Sequence, residues 1–131
     1  MDISNKKIER KYIFRGFDAV GNKGWVYGDL VHNQKVTETG LEPRVMVGGY
    51  EVVPESVGLC TGEKDTFGKD VYEGDIVAWK EYGYTHLYQI KRFGRGYWFA
   101  LADGTNVKFW ANEFKVVGTI FENKEMIEKE D

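Results

Sequence analysis

Cys60 to Trp79, CTGEKDTFGKDVYEGDIVAW, constrains the fold more than any other stretch of this chain. It holds a turn rich in Gly, Lys and Asp, a short apolar step, a second tight turn at Glu73-Gly74-Asp75, and then an apolar strand. Gly74 lets the chain reverse without a Cβ clash, Asp75 is placed to accept a backbone N–H at the turn, and Ile76-Val77 drop into a core. Two turns and two strand beginnings in so short a span predict the entry to a small β-barrel. They do not resemble a catalytic loop.

The rest of the chain agrees with a β reading. Sixteen glycines, twenty aromatics (4 Trp, 8 Tyr, 8 Phe) and only two prolines suit many short strands joined by tight turns. Tyr12-Ile13-Phe14 opens a strand, Asp18 to Gly24 is a turn, and Trp25 to Val31 returns, giving an N-terminal hairpin. Residues 33–49 read as less regular, with Arg44-Val45-Met46-Val47 as a short strand stopped by Gly48-Gly49. Pro54-Glu55-Ser56-Val57 predicts a single helical turn, since proline pre-sets φ at the first position. Beyond it, Thr85 to Lys91, Tyr97 to Ala102, Thr105 to Trp110 and Phe114 to Phe121 read as strands. Asp103-Gly104 is a hairpin signal between two of them. Asn123 is placed to cap a short terminal helix, Lys124 to Lys129. The expected fold is mainly β: an N-terminal hairpin region over 1–49 packed on a C-terminal small barrel over 50–131 that ends in that helix.

At 131 residues the chain is long enough for one domain with its own core. A net charge of −3 argues against a surface that grips nucleic acid all round, while leaving room for a local basic patch. One cysteine, Cys60, excludes an internal disulfide framework, and no Cys/His spacing suits a structural zinc. The first residues lack a secretory apolar core, and no apolar run approaches the roughly 18–20 residues of a membrane span. A cytoplasmic protein that makes no use of a membrane is the expectation.

Four segments carry a family resemblance. Thr61-Gly62, Lys64-Asp65, Gly68-Lys69 and Tyr72-Glu73-Gly74-Asp75-Ile76-Val77 resemble the signature of the YopX family of phage and prophage proteins. Phe14-Arg15-Gly16 with Trp25-Val26-Tyr27-Gly28-Asp29-Leu30 is similar to that family's opening. Val53-Pro54-Glu55-Ser56-Val57-Gly58 resembles the lead-in to its turn, and Val117-Gly118-Thr119-Ile120-Phe121-Glu122-Asn123 its closing strand. The segments stand in the right order, and the resemblance spans about Tyr12 to Ile127. Glu63 stands where Leu is usual, Phe67 and Thr119 where Asn is usual. The resemblance implies an SH3-like barrel in the C-terminal part and a bacteriophage setting in a host cell. It implies no activity, cofactor or site residue.

No catalytic constellation stands out. His32 and His86 are far apart in sequence and read as strand residues rather than bases. Cys60 beside Leu59 reads as a small core residue. With 21 Asp and Glu in the chain, pairs such as Asp29 with Asp75 or Glu73 with Asp75 arise by coincidence. Gly94-Arg95-Gly96 lacks the strand and helix that frame a phosphate loop.

One cluster is kept as a candidate contact site: Lys91, Arg92, Phe93, Arg95, Tyr97 and Trp98. Cations that track a phosphate backbone, interleaved with rings that stack on bases, are what single-strand binding needs, each stacked base contributing roughly 1–3 kcal/mol. The competing reading puts the rings inside the barrel and leaves the cations solvated, and it is the commoner one. From Glu122 to Asp131 five acids face two lysines, the pattern of a solvated tail. The functional expectation is a non-enzymatic small-barrel interaction module without catalytic residues, cofactor or metal. It acts on an unknown protein partner or a second copy of itself, with single-stranded nucleic acid as the alternative.

Overall fold

The computed structural model describes residues 12–81, 83–93, 96–100, 106–108 and 113–127. Their order is β1 (Phe14–Phe17), β2 (Trp25–Gly28), β3 (Leu30–Thr37), β4 (Gly40–Val47) and β5 (Tyr50–Glu51). A 3-10 turn at Pro54–Ser56 leads to β6 (Gly58–Lys64), β7 (Asp70–Tyr72), β8 (Asp75–Glu81) and β9 (Tyr84–Phe93). Then come β10 (Gly96–Ala100), β11 (Asn106–Lys108), β12 (Phe114–Thr119) and a 3-10 turn at Lys124–Met126.

The described strands form three antiparallel sheets. Four strands run in the order β2-β1-β6-β7, five in the order β11-β10-β9-β8-β12, and three as β3-β4-β5. The fold is mainly β, as expected, and the N-terminal hairpin is present, with Phe14 opposite Gly28 and Phe17 opposite Trp25. The closure expected of an SH3-like barrel is not seen among the described residues. The terminal helix is reduced to one 3-10 turn there, and residues 128–129 lie outside them. Asn123 makes no side-chain cap because its Oδ1 accepts the Thr119 N–H at 3.1 Å instead. The Asp103-Gly104 hairpin signal also lies outside the described residues, although the strands on either side of it pair, Ala100 opposite Asn106.

Residues 33–43 depart most from the sequence reading. In place of irregular chain stand two eight-residue strands paired from Leu30↔Val47 out to Thr37↔Gly40. Alternation failed as a signal because most of the arm is solvated on both faces. Pro43, which suggests a break, is accommodated because its missing N–H faces the outer edge of β4 rather than β3.

Among the described residues, two clusters make the core. Val26, Val47 and Val52 form the smaller, with Phe14, Leu30, Val45 and Val57 packed on it. Val71, Val77, Trp79, Tyr88, Ile90, Phe114 and Val116 form the larger. Val71 belongs to β7 of the four-stranded sheet, so the Cys60 to Trp79 stretch contributes to both sheets. Ile76, Val77 and Ile90 have no exposed surface, and each buried side chain of this kind contributes about 1.5–3 kcal/mol.

Candidate functional site

The turn at Glu73-Gly74 is where the two larger sheets meet. Gly74 has φ +93°, a conformation that favours glycine. Its N–H donates to Ile90 O of β9 at 3.0 Å, and its carbonyl accepts from Ile120 N at 2.7 Å, so one glycine ties the turn to two segments. Asp75 is fully buried, and its Oδ2 accepts the Tyr72 N–H at 2.7 Å, the backbone bond expected of that residue. Across the seam, Arg15 of β1 brings Nη1 within 2.7 Å of Asp75 Oδ1.

Arg15 is itself only 6% exposed, and its guanidinium lies 4.6 Å from the Trp25 ring centre and 4.9 Å from that of Tyr72. Rings on either side supply the quadrupole that a desolvated cation needs. The pair is close but not well directed: Asp75 Oδ1 and Arg15 Nε each lack a properly aligned hydrogen-bond partner. Charge, not a bidentate fork, therefore holds it. Burial pushes the Asp75 carboxyl above its ordinary value, against the pull of Arg15 and of the Tyr72 N–H. Burial likewise pushes the Tyr72 phenol up to about 12.

Two clefts flank this seam, of about 430 Å³ and about 640 Å³, and Arg15, Trp25 and Thr119 line both. Trp25 closes the wall between them. Its ring meets Phe17 and Phe121 at 5.4 and 5.8 Å, and its Nε1–H donates to Glu122 Oε1 at 2.7 Å.

Among the described residues, six polar side chains are buried, and each holds the backbone or another of the six. Asp18 accepts the N–H groups of Val20, Gly21 and Lys23, closing the first hairpin turn. Asp65 accepts from Phe67, Lys69 and, across to β12, Val116. Burial pushes the Asp65 carboxyl up, but those three donors and the Lys69 charge outweigh it and hold it below the usual range. Ser56 accepts from Phe17 N and donates to Val53 O. Thr119 accepts from Glu122 N, and Arg15 and Asp75 hold each other. Of these six, Arg15 and Thr119 also line both clefts, and Ser56 lines the smaller one.

His32 and His86 are both exposed, on β3 and β9. Cys60 is half-buried on β6, opposite Tyr72, and is a free thiol. Among the described residues no three His, Cys, Asp or Glu side chains group as metal ligands would, and no helix is long and apolar enough to cross a membrane.

The basic-aromatic segment is a hairpin of β9 and β10, with Phe93 opposite Gly96, Arg92 opposite Tyr97, and Lys91 opposite Trp98. Lys91 and Arg92 are exposed and, as neighbours on a strand, sit on opposite faces. Tyr97 is half-buried and packs against the larger core cluster, and burial raises its phenol pKa. Arg95 lies outside the described residues.

Sequence reasoning missed a different surface. On the β3–β4 arm, Lys35 pairs with Glu51 at 3.0 Å, and Arg44 Nε donates to Asn33 Oδ1 at 2.7 Å, giving one polar face. The other face carries Val36, 83% exposed, directly opposite Leu41, 64% exposed, and runs back through Val45 and Leu30 into the smaller core cluster. The signal existed as Leu30, Val36, Leu41 and Val45, but it is legible only once the register is known.

Comparison with known proteins is informative at the level of family and fold. Residues 13–128 match the family model described as YopX protein. Among solved structures, protein EF1440 from Enterococcus faecalis is similar at 20% identity, covering 89% of this chain and 98% of that one, with a TM-score of 0.53. Likeness at that identity is a likeness of fold. No curated protein matches the chain.

Proposed function

This chain belongs to the YopX family, and from that premise we propose that it is a phage-encoded, non-enzymatic interaction module working in the cytoplasm of the host. The observation that carries the reading is the β3–β4 arm, which leaves Val36 and Leu41 bare at its far end while its base is packed into the core. Exposed apolar side chains in facing positions on a protruding hairpin are characteristic of a contact surface. The engagement of Asp18, Asp65, Asp75, Ser56, Thr119 and Arg15 in the fold supports the absence of a reaction centre. An SH3-like barrel is part of this proposal. The five-stranded sheet runs as a meander from β8 to β11, and β12 returns to β8, an order that suits a small, partly open barrel.

The test is affinity capture of the tagged chain from host cells, with and without nuclease, beside the variant Val36→Lys/Leu41→Lys. A nuclease-resistant partner lost in the variant is the expected result. A partner that survives both lysines but disappears with nuclease would instead favour nucleic-acid binding through Lys91 and Arg92. Turnover of a substrate by the isolated chain would contradict the proposal outright.

A further inference from the structure

The geometry points to a second copy of this chain as the occupant of the arm, through antiparallel pairing of β3 with β3 of the other copy. This inference rests on the contact reading above and names the partner. In a hairpin closed by the two residues Glu38 and Thr39, Thr37↔Gly40 is the pair that exchanges both backbone bonds, and every second pair after it does the same. Thr37, Lys35, Asn33 and Val31 therefore point their N–H and C=O groups at β4. Leu30, His32, Gln34 and Val36 point theirs outward, and among the described residues no strand pairs with that edge.

The two long edges of the arm differ in how they resist pairing. Pro43 lies opposite Gln34, a position whose backbone faces outward, so the outer edge of β4 lacks a donor where a neighbouring strand would need it. The β3 edge carries no proline. Its one charged side chain, Lys35, is already neutralised by Glu51. Natural edges are usually blunted by charge, proline or a bulge, and β3 has none of these left free.

Charge selects the partner. Leu30, His32, Gln34, Val36, Leu41 and Pro43 include no acid and no permanent cation, so neither a phosphate backbone nor an acidic peptide finds a counter-charge on this face. An identical face matches it. A two-fold axis through Asn33 puts Leu30 opposite Val36 of the second copy, and His32 opposite Gln34 of the second copy. Residues of equal parity then share a face, and the two apolar faces join into one across four strands. No like charges oppose each other in this register, because Lys35 lies opposite Val31 of the second copy.

Light scattering on the full chain at high micromolar concentration is expected to give twice the 15.1 kDa of one chain. Gln34→Pro removes an outward N–H without touching the β3–β4 ladder and is expected to return the monomer, while Gln34→Thr keeps the dimer. Asn33→Cys tests the register, because residues on the two-fold sit within disulfide reach in a non-hydrogen-bonded pair. It is expected to cross-link on mild oxidation, whereas Glu38→Cys at the arm's tip is not. A strict monomer overturns the inference, as does a dimer indifferent to Gln34→Pro or one that cross-links equally through Glu38→Cys. A monomer that still captures a host protein through Val36 and Leu41 overturns self-pairing alone and leaves the interaction-module reading in place.

Discussion

Asp75 and Arg15 are each tolerable in the interior only because the other is there. Removing one partner leaves a buried charge uncompensated, so Asp75→Asn should lower stability by about 3–5 kcal/mol in urea denaturation. Arg15→Met combined with Asp75→Asn should recover much of that loss, and losses that simply add would show that the two do not act as a pair. The carboxylates also set opposing pH dependences. Asp75 titrates higher folded than unfolded, so its contribution is full below the unfolded pKa and is lost as pH rises through the folded one. Asp65 and Asp18 titrate lower folded than unfolded, so theirs is present at neutral pH and is lost as pH falls through their folded values. Asp65→Asn should therefore lower the melting temperature at pH 7 and flatten its fall on acidification toward about pH 4. An unchanged slope would contradict the role given to Asp65. Glu73-Gly74-Asp75 was legible from sequence because glycine followed by a short acid is turn chemistry. Arg15 was not, because a buried arginine has no sequence signature apart from its partner.

At the scale of elements, the Cys60 to Trp79 stretch, expected as the entry to a closed barrel, instead links the two larger sheets. The β6–β7 connection places Asp65 and Thr66 against β12, with Phe114 N donating to Thr66 Oγ1 at 2.9 Å, while the next turn meets β9 and Ile120. Gly58 allows that approach: a Cβ there would stand 2.3 Å from Glu73 O. Gly58→Ala should cost about 1–3 kcal/mol through displacement of the turn, read as a fall in the denaturation midpoint. A neutral outcome would mean that β6 is not fixed against the turn. Short, turn-bounded strands such as β1, β2, β8 and β12 could be found from sequence because their turns carry glycine or aspartate and one face is apolar. The β3–β4 arm escaped because His32, Asn33, Gln34 and Lys35 show no period of two, and its turn is Glu38-Thr39. Surface exposure also means that Val36→Lys/Leu41→Lys should leave the melting temperature nearly unchanged, since exposed substitutions shift stability by about 0.5 kcal/mol or less each.

At the scale of the whole molecule, the family was legible from spaced short segments and the mainly β class from glycine and aromatic content, because both depend on local chemistry. The contact surface depends on register, which no local pattern revealed. The buried polar groups hold turns and sheets together, while the β3–β4 arm combines an unpaired edge strand with the facing, exposed Val36 and Leu41. That asymmetry is why contact, not reaction, is the reading of this chain. The most direct test is amide hydrogen exchange resolved along β3 at low and high protein concentration. Pairing through this edge predicts that His32, Gln34 and Val36 exchange fast when dilute and slowly when concentrated, while Val31, Asn33 and Lys35 are slow in both. Outward amides whose exchange does not depend on concentration would contradict it.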